Sequence, residues 1–291
     1  MSGTLFLVGT PIGNLGDITL RAVETLKSVD RIYAEDTRRT LTLLSALGIT
    51  GKKLSSLHAH SSERTLETAL EILREGRNVA VVTDAGMPSV SDPGAELVRR
   101  ARAAGVPITA APGPSAVTTA VALSGLVDGA FLFLGFLPRK GRRRAELLER
   151  IAKSDVPVLF FEAPSRMADT FAELALLCPS REAVACRELT KRFEEVRRGT
   201  LAELAAAEVE WLGELTVVVS PQSAEEAEAS SAAQAELQDE RIEALLAEGR
   251  SVKDVVRELA HHGLSKRDLY ARVLEISQGV GTPPSASDDE P

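Results

Sequence analysis

Three loops rich in glycine and proline are the segments of this sequence best suited to hold a ligand. They read Gly-Thr-Pro-Ile-Gly-Asn-Leu-Gly-Asp at 9–17, Asp-Ala-Gly-Met-Pro-Ser-Val-Ser-Asp-Pro-Gly at 84–94 and Ala-Pro-Gly-Pro-Ser-Ala at 111–116. Each loop follows a short apolar run that predicts a buried strand. Ligands of open α/β sheets bind beyond the carboxyl ends of the strands, so the three loops predict one shared pocket.

The first loop partly fits the fingerprint of dinucleotide-binding proteins. Glu35 lies about 20 residues further on, where an acid would hold a ribose. However, the fingerprint needs a second glycine that lets a pyrophosphate approach the backbone, and Pro11 stands at that position. The sequence therefore argues against a dinucleotide, while Asp17 at the end of the loop could cap the helix that follows.

A few side chains near these loops could take a proton from a substrate hydroxyl. Asp36 follows a predicted strand and precedes Arg38 and Arg39, whose guanidinium groups could hold phosphates. Asp36 could equally be the cap of the next helix. Glu188 and Lys191 are rival bases, because burial can lower the pKa of a lysine.

The strongest cluster of positive charge in the sequence is Arg-Lys-Gly-Arg-Arg-Arg at 139–144, after a predicted strand. Such a run is usually a solvated face, but the rest of the chain outside its acidic segments is nearly neutral, which favours contacts with RNA phosphates. The residues predicted to make these contacts are Arg38, Arg39, Arg139, Lys140, Arg142, Arg143 and Arg144.

Composition limits the class of protein. The formal net charge of −8 comes from acids concentrated in 222–240 and 288–290, so the average does not exclude a nucleic-acid partner. The two cysteines match no zinc spacing and the two histidine pairs, 58/60 and 261/262, lack further ligands, so we predict no metal site. The sequence shows no secretory signal, and turn signals divide the apolar stretch 116–137, which would otherwise resemble a membrane span. We therefore expect a soluble cytoplasmic protein without a membrane partner.

Apolar runs that alternate with amphipathic segments predict an α/β protein with helices on both faces of its sheets. The predicted strands are 4–9, 31–34, 78–84, 106–111, 130–136, 156–163, 183–187 and 215–220. The predicted helices are 18–28, 38–47, 63–75, 95–104, 116–123, 142–152, 166–177 and 201–211.

Five segments follow from this pattern and from the change of composition near the end. The predicted domains are two α/β domains at 1–114 and 115–220, an acidic linker at 221–237, a helical domain at 238–278 and a disordered tail at 279–291. Within the helical domain, Ser251 and Ser265 begin capping-box patterns, and Gly263 lies between them. This order is typical of a helix-turn-helix.

Six motifs in order resemble those of the tetrapyrrole (corrin/porphyrin) methylase superfamily. They are the three loops above together with Ala-Glu-Asp-Thr-Arg at 34–38, Phe-Glu-Ala-Pro-Ser-Arg at 161–166 and Arg-Glu-Leu-Thr-Lys at 187–191. The resemblance covers residues 4–220 and is closest to members that act on ribosomal RNA. It implies two α/β domains of the tetrapyrrole methylase type, with S-adenosyl-L-methionine (AdoMet) held between them.

The resemblance also implies a reaction and a set of contacts. A methyl group would pass to the ribose 2′-hydroxyl of a cytidine in 16S rRNA of the 30S ribosomal subunit, and the enzyme would be a homodimer. The cofactor contacts that it implies are Pro11, Asp84, Gly86, Met87, Val90, Ser115, Ala116, Phe161, Leu189 and Thr216. Ala116 stands where relatives often carry a hydroxyl residue, so only a main-chain contact is expected there.

Two other functions fit parts of the sequence. A methylase acting on a small porphyrinoid would share the loops but would need neither the arginine-rich run nor the helical domain. A nucleic-acid-binding regulator would use the helix-turn-helix, although Asp268 and Glu275 dilute the positive charge of its last helix.

Overall fold

The protein divides into two compact units in a computed structural model that describes residues 2–58, 61–88, 94–259 and 266–279. The first unit is Met1–Gln222 and contains both sheets, and the second is Ser223–Pro291. None of the described helices is long and apolar enough to cross a membrane.

The first sheet of unit one is entirely parallel. Its strands are β1 (Leu5–Val8), β2 (Arg31–Ala34), β3 (Lys53–Ser56), β4 (Val79–Val82) and β5 (Ile108–Ala111), in the order β3-β2-β4-β1-β5. Its helices are α1 (Leu20–Ser28), α2 (Thr37–Ala46), α3 (Glu63–Arg74) and α4 (Ala95–Ala103). Every residue of β4 is buried, as expected for a central strand with helices on both faces. The carboxyl ends of β1, β2, β4 and β5 therefore meet at one edge.

The second sheet is mixed. Its strands are β6 (Leu132–Phe136), β7 (Val158–Glu162), β8 (Glu182–Arg187), β9 (Glu195–Thr200) and β10 (Leu215–Val219), in the order β6-β7-β10-β8-β9. Only β6 and β7 pair in parallel, and β10 is antiparallel to both of its neighbours. Its helices are α5 (Ala116–Ser124), α6 (Arg142–Ala152), α7 (Pro164–Leu177) and α8 (Leu201–Ala206).

One apolar cluster joins the first loop to the second sheet. Ile12 packs with Leu189 and with Leu159 and Val218 on one face of that sheet, and Val117 of α5 belongs to the same cluster. The opposite face packs against α6, α7 and α8 in a separate core that includes Phe171 and Trp211. The side chains of the cluster around Ile12 are almost completely buried. Their close packing therefore holds the first loop against the second sheet.

The eight predicted strands and eight predicted helices are all present in unit one, with ends that differ by a few residues. Two strands were not predicted, β3 and β9, and each is a sheet edge of mainly polar sequence. The cap of α1 also differs from the prediction. Asp17 lies in a short 3-10 helix (Leu15–Asp17), and Thr19 is the residue whose side chain accepts from the Ala22 N–H.

The second unit consists of α9 (Ala224–Ala247), α10 (Val252–Leu259) and α11 (Lys266–Gly279) around a small core. Ile242, Leu245, Val255, Leu269 and Val273 are its fully buried side chains. Most of the segment predicted as a linker is helical, because Ala and Glu favour helix and Ser223 with Glu226 forms a complete capping box.

The capping pattern at Ser251 is partly confirmed. The Ser251 hydroxyl oxygen accepts from the Asp254 N–H at 3.3 Å and also donates to the Asp254 carboxylate at 2.6 Å. The predicted cap at Ser265, the turn at Gly263 and the tail beyond Gly279 lie outside the described residues.

Candidate active site

A cavity of about 420 Å³ lies where the carboxyl edge of the first sheet faces the second sheet. Its size is that of a small-molecule site. The lining residues from the first sheet and its loops are Ile12, Glu35, Arg39, Thr83, Asp84, Ala85, Gly86, Met87, Ser115, Ala116 and Val117. Those from the second sheet are Phe136, Phe161, Glu162, Ala163, Pro164, Gly213, Glu214, Leu215 and Thr216.

The three Gly/Pro loops are joined to one another by backbone contacts. Thr10 and Gly86 exchange hydrogen bonds, with N···O distances of 3.0 and 3.1 Å. A Cβ atom on Gly9 would come within 2.7 Å of the Gly113 backbone, a separation that real side chains do not adopt. Glycine is therefore required where the first and third loops cross. These contacts hold the described parts of the three loops next to one another.

Carboxylates gather where β2 and β4 end. The Thr83 hydroxyl donates to Glu35 at 2.9 Å, and the Asp36 N–H donates to the Asp84 carboxylate at 3.1 Å. Arg39 lies 3.4 Å from the other Asp84 oxygen. Burial raises the pKa of Asp84, and the nearby Glu35 and Asp36 carboxylates add to this, while the Asp36 N–H and Arg39 oppose it. A carboxylate with a raised pKa is a stronger base than an ordinary one.

Asp36, a candidate base, is the cap of α2. Its carboxylate accepts from the Arg38 N–H at 2.8 Å and pairs with the Arg38 guanidinium at 2.7 Å. These hydrogen bonds, led by the one from the Arg38 side chain, hold the pKa of Asp36 far below its usual range. Asp36 is also absent from the cavity lining. The capping role is confirmed, and the low pKa argues against proton abstraction.

The other two candidate bases neutralise each other. Lys191 lies 2.8 Å from Glu188 and 3.2 Å from Glu214, and of these three only Glu214 lines the cavity. Burial alone would lower the pKa of Lys191, but the two carboxylates outweigh it and the net shift is upward. The hydrogen bond from Lys191 lowers the pKa of Glu188. A protonated lysine paired with an ionised glutamate is a poor base.

The loop that carries this pair is strained and touches the first loop. Glu188 and Thr190 have φ values of 50° and 66°, a left-handed conformation rare outside glycine. Thr190 and Lys191 leave no room for a side chain at Gly13. Backbone strain of this kind persists only where packing enforces it. The 187–191 motif is therefore a support of the first loop.

The arginine-rich run contains one residue that does not belong to the surface. The side chain of Arg144 is only 7% exposed, and this burial argues against the predicted contact with RNA. Its guanidinium reaches Glu173 and Thr170, both at 2.8 Å, and the Pro138 carbonyl oxygen at 3.1 Å. The reason is helical spacing, since the third residue of α6 faces the sheet while Arg139, Lys140, Arg142 and Arg143 are exposed.

The buried partner of this network is Glu162, at the end of β7. Arg166 contacts one Glu162 oxygen at 2.5 Å, while Thr170 and Arg144 approach the other at 2.9 and 3.4 Å. Arg166 also donates to the Leu137 carbonyl oxygen at 3.0 Å. The network therefore fixes the backbone after β6 next to the cavity.

Family comparison agrees with these motifs. Residues 4–205 match the family described as Tetrapyrrole (Corrin/Porphyrin) Methylases, and this match spans more than half of the chain. The chain belongs to the tetrapyrrole methylase family. It is therefore a methyltransferase.

Several relatives of this tetrapyrrole methylase share the name ribosomal RNA small subunit methyltransferase I. The protein from Halalkalibacterium halodurans is 41% identical over 92% of this chain and 93% of its own length. That from Escherichia coli O157:H7 is 39% identical over 94% and 95%. That from Thermotoga maritima is 45% identical over 75% of this chain and 98% of its own length, so it leaves a quarter of this chain unmatched.

Solved structures show the tetrapyrrole methylase fold at low sequence identity. Uroporphyrin-III-C-methyltransferase from Thermus thermophilus is 21% identical with a TM-score of 0.52, over 75% of this chain and 94% of its own. Diphthine synthase is 17% identical with a TM-score of 0.58, over 75% and 90%. These similarities support the fold and leave the substrate open.

Most of the cofactor contacts predicted for this tetrapyrrole methylase surround one cavity. The structure brings together Asp84, Gly86, Met87, Ser115, Ala116, Phe161 and Thr216. Pro11 and Leu189 do not line it, since Ile12 takes the place of Pro11 and Leu189 is buried in the cluster behind the loop. Val90 lies outside the described residues.

The sequence predicted Phe161 and Thr216 but missed other residues that reach the cavity from the second sheet. Phe136, Glu162 and Gly213 lie on three segments that are distant in the sequence. They meet only in the folded protein, in the same cavity lining as Phe161 and Thr216. The signal that was available is the 161–166 motif, which contains Glu162.

Among the described residues, no group of His, Cys, Asp and Glu could hold a metal ion. Cys178 and Cys186 are both buried, and burial raises the pKa of Cys186 to about 11.

Proposed function

We propose that this methyltransferase transfers a methyl group from AdoMet to the ribose 2′-hydroxyl of a cytidine in 16S rRNA, within the 30S subunit. The observation that carries the proposal is the match to relatives named ribosomal RNA small subunit methyltransferase I over nearly the whole of both chains. A homodimer, which the family resemblance implies, stays a prediction.

The chemistry of the cavity fits AdoMet. Its ammonium and sulfonium groups carry positive charge, and the carboxylates of Glu35, Asp84 and Glu214 line the cavity together with Arg39. The carboxylate of AdoMet suits the start of α5, where Ser115 makes no side-chain cap and the first backbone N–H groups are open to a ligand.

The protein's own contribution to methyl transfer is mainly alignment. The sulfonium supplies an activated methyl group, and rigid positioning of two reactants is worth on the order of 7 to 11 kcal/mol. The acceptor hydroxyl must also lose its proton. Ion pairs lower the pKa of Asp36 and of Glu188 and raise that of Lys191, so each of these candidates is a poor base. Asp84, with its raised pKa and its place in the lining, is the better acceptor.

The charge of the two units favours RNA contact by the first. Residues 223–291 hold fifteen acidic and seven basic side chains, so they account for the whole net charge of −8 and unit one is neutral. Phosphate binding draws its affinity from Lys and Arg, and an acidic unit is repelled by a polyanion. We therefore assign RNA contact to the exposed cations of unit one.

The test is methyl transfer from labelled AdoMet to three acceptors. We expect transfer to 30S subunits, with the label in a cytidine whose 2′-O-methyl group resists alkaline hydrolysis. Free 16S rRNA in parallel shows whether the assembled subunit is needed. Transfer to a porphyrinoid, with none to either RNA, would replace the proposal by a small-molecule methylase.

The role of the exposed arginines can be tested by charge removal. Replacing Arg142 and Arg143 together by glutamine should weaken RNA binding and lower the log–log salt slope by about 0.7 to 0.9 for each lost phosphate contact. AdoMet affinity should stay constant, because neither residue lines the cavity. Arg150→Gln, at the far end of the same helix, is the matched control. A double variant with the wild-type slope would return the run to an ordinary solvated face and shift attention to Arg38 and Arg39.

The helical unit should be dispensable for cofactor binding. A chain that ends at Gln222 keeps all the described cavity residues and both sheets, and the relative from Thermotoga maritima leaves a comparable share of this chain unmatched. We expect the shortened protein to fold and to bind AdoMet with wild-type affinity in isothermal titration. An insoluble product, or a folded one without AdoMet binding, would contradict this division of roles.

A further inference from the structure

We propose that the exposed ring of Phe136 is a stacking platform for a nucleobase of the RNA substrate beside the methyl-accepting ribose. The inference rests on the proposed function and deepens it. Phe136 is the last residue of β6 and lines the cavity, yet it is 60% exposed. Burying a phenylalanine gains about 1.5 to 3 kcal/mol, so an exposed ring at a cavity wall is suited to contact a ligand.

The ring is held by its neighbours. Its centroid lies 5.3 Å from that of Phe161 in a tilted arrangement, and Phe161 in turn packs edge-on against Phe133 at 5.0 Å. The residue after it is fixed as well, since the Leu137 carbonyl oxygen accepts from Arg166 at 3.0 Å. A ring fixed before binding loses little conformational entropy when a base stacks on it.

The surroundings of Phe136 favour a nucleotide over a purely apolar group. Arg139 and Lys140 follow it on the same connection and are exposed. Single-stranded RNA is bound by aromatic side chains that stack on bases, together with cations that hold the backbone. In single-stranded RNA a nucleotide can leave the stack when its ribose enters a site, and the displaced base then needs a new stacking partner. Phe136 supplies that partner at the same cavity.

Stacking on an aromatic face is tolerant of base identity. Phe136 is therefore assigned to holding the base, while the choice of cytidine rests on other contacts. Its effect should also be independent of ionic strength, because the ring carries no charge. This property separates Phe136 from the arginines of α6, whose contacts should change the salt slope.

The experiment uses the full-length protein with Phe136→Leu and Phe136→Trp, and with 30S subunits or 16S rRNA, whichever the wild type methylates. Leucine keeps the apolar character and removes the aromatic face, whereas tryptophan keeps the face. We expect Phe136→Leu to lower kcat/KM for RNA roughly 5- to 150-fold, the range of one lost base stack, with an unchanged salt slope. Phe136→Trp should restore most of the loss. Because the ring is 60% exposed, Phe136→Leu should change AdoMet affinity far less than it changes kcat/KM for RNA.

The matched control is Phe131→Leu, just before the other end of the same strand, where the ring is 38% exposed and outside the cavity lining. It should leave kcat/KM unchanged. Wild-type kcat/KM in a folded Phe136→Leu variant would overturn the inference, and so would a parallel loss of AdoMet affinity, which would assign the ring to the cofactor. If the wild-type protein methylates neither RNA, the proposed function itself fails. Failure of the inference on Phe136 is a different outcome, because the wild type is then active and only the variants depart from expectation.

Discussion

Gly86→Val should produce a folded protein that binds AdoMet about 100-fold more weakly than the wild type, or not at all. Gly86 lines the cavity, and a Cβ added there meets only Ile12 and Pro114, at 3.6 and 3.7 Å. The substituted protein therefore has room for the Cβ itself. The further methyl groups of valine would occupy space that the ligand needs, and a 100-fold loss corresponds to about 2.7 kcal/mol.

Backbone strain has to be separated from this effect. Gly86 has a φ of +85°, where a β-branched residue is an outlier that costs on the order of 1 to 3 kcal/mol of stability. Gly105→Val is the matched control, because Gly105 has a φ of +67°, has open space around it and lies outside the cavity lining. Both variants should unfold at lower temperature, and only Gly86→Val should lose AdoMet binding in titration. Equal AdoMet affinity in the two would remove the second loop from the site.

Arg144→Met should destabilise unit one by about 3 to 5 kcal/mol, the usual cost of removing one partner from a buried ion pair. Methionine keeps much of the side-chain volume, so the loss comes from the guanidinium. Without it Glu173 and the Pro138 carbonyl oxygen lose their donor, and Glu162 keeps Arg166, Thr170 and the Ala163 N–H. The unfolding temperature should fall by about 6 to 20 °C.

The neighbouring residue provides the control for this prediction. Arg143 is exposed in the preceding position of α6, and Arg143→Met should change stability by no more than about 0.5 kcal/mol. Denaturant unfolding of both variants, with the wild type, measures the difference. If Arg144→Met proved as stable as Arg143→Met, the network around Glu162 would contribute nothing to the fold. For this reason the RNA-binding test leaves Arg144 unchanged. If Arg144 were replaced together with Arg142 and Arg143, weaker RNA binding could result from unfolding.

The parts of the site that could be predicted from the sequence are those where several local signals coincide. The loops at 9–17, 84–94 and 111–116 combine glycine, proline and a preceding apolar run, and such signals depend on neighbours in the chain. The described parts of these loops contribute to one cavity because carboxyl ends of parallel strands share an edge. The same holds for the helices of unit one, whose apolar spacing is local.

Edge strands and the direction of pairing are decided by contacts between distant residues. The sequences of β3 and β9, Lys-Leu-Ser-Ser and Glu-Val-Arg-Arg-Gly-Thr, have too little apolar character to predict a strand alone. They form because a neighbouring strand presents unpaired N–H and C=O groups along its edge. The antiparallel pairing of β10 with β7 and β8 likewise could not be predicted from the five residues of β10.

The sequence by itself determined the family, the α/β class and the three loops, because each depends on residue types at short spacing. Only the tertiary structure decided which charges are available for chemistry. Arg142 and Arg144 are two positions apart in one basic run, yet the first side chain is 92% exposed and the second 7%. The ion-pair partners that make Asp36, Glu188 and Lys191 poor bases could not be predicted from spacing in the sequence. The position of Phe136 in the cavity lining could not be predicted from it either. Burial and ion pairing set these properties, and both depend on the parts of the chain that fold against each residue.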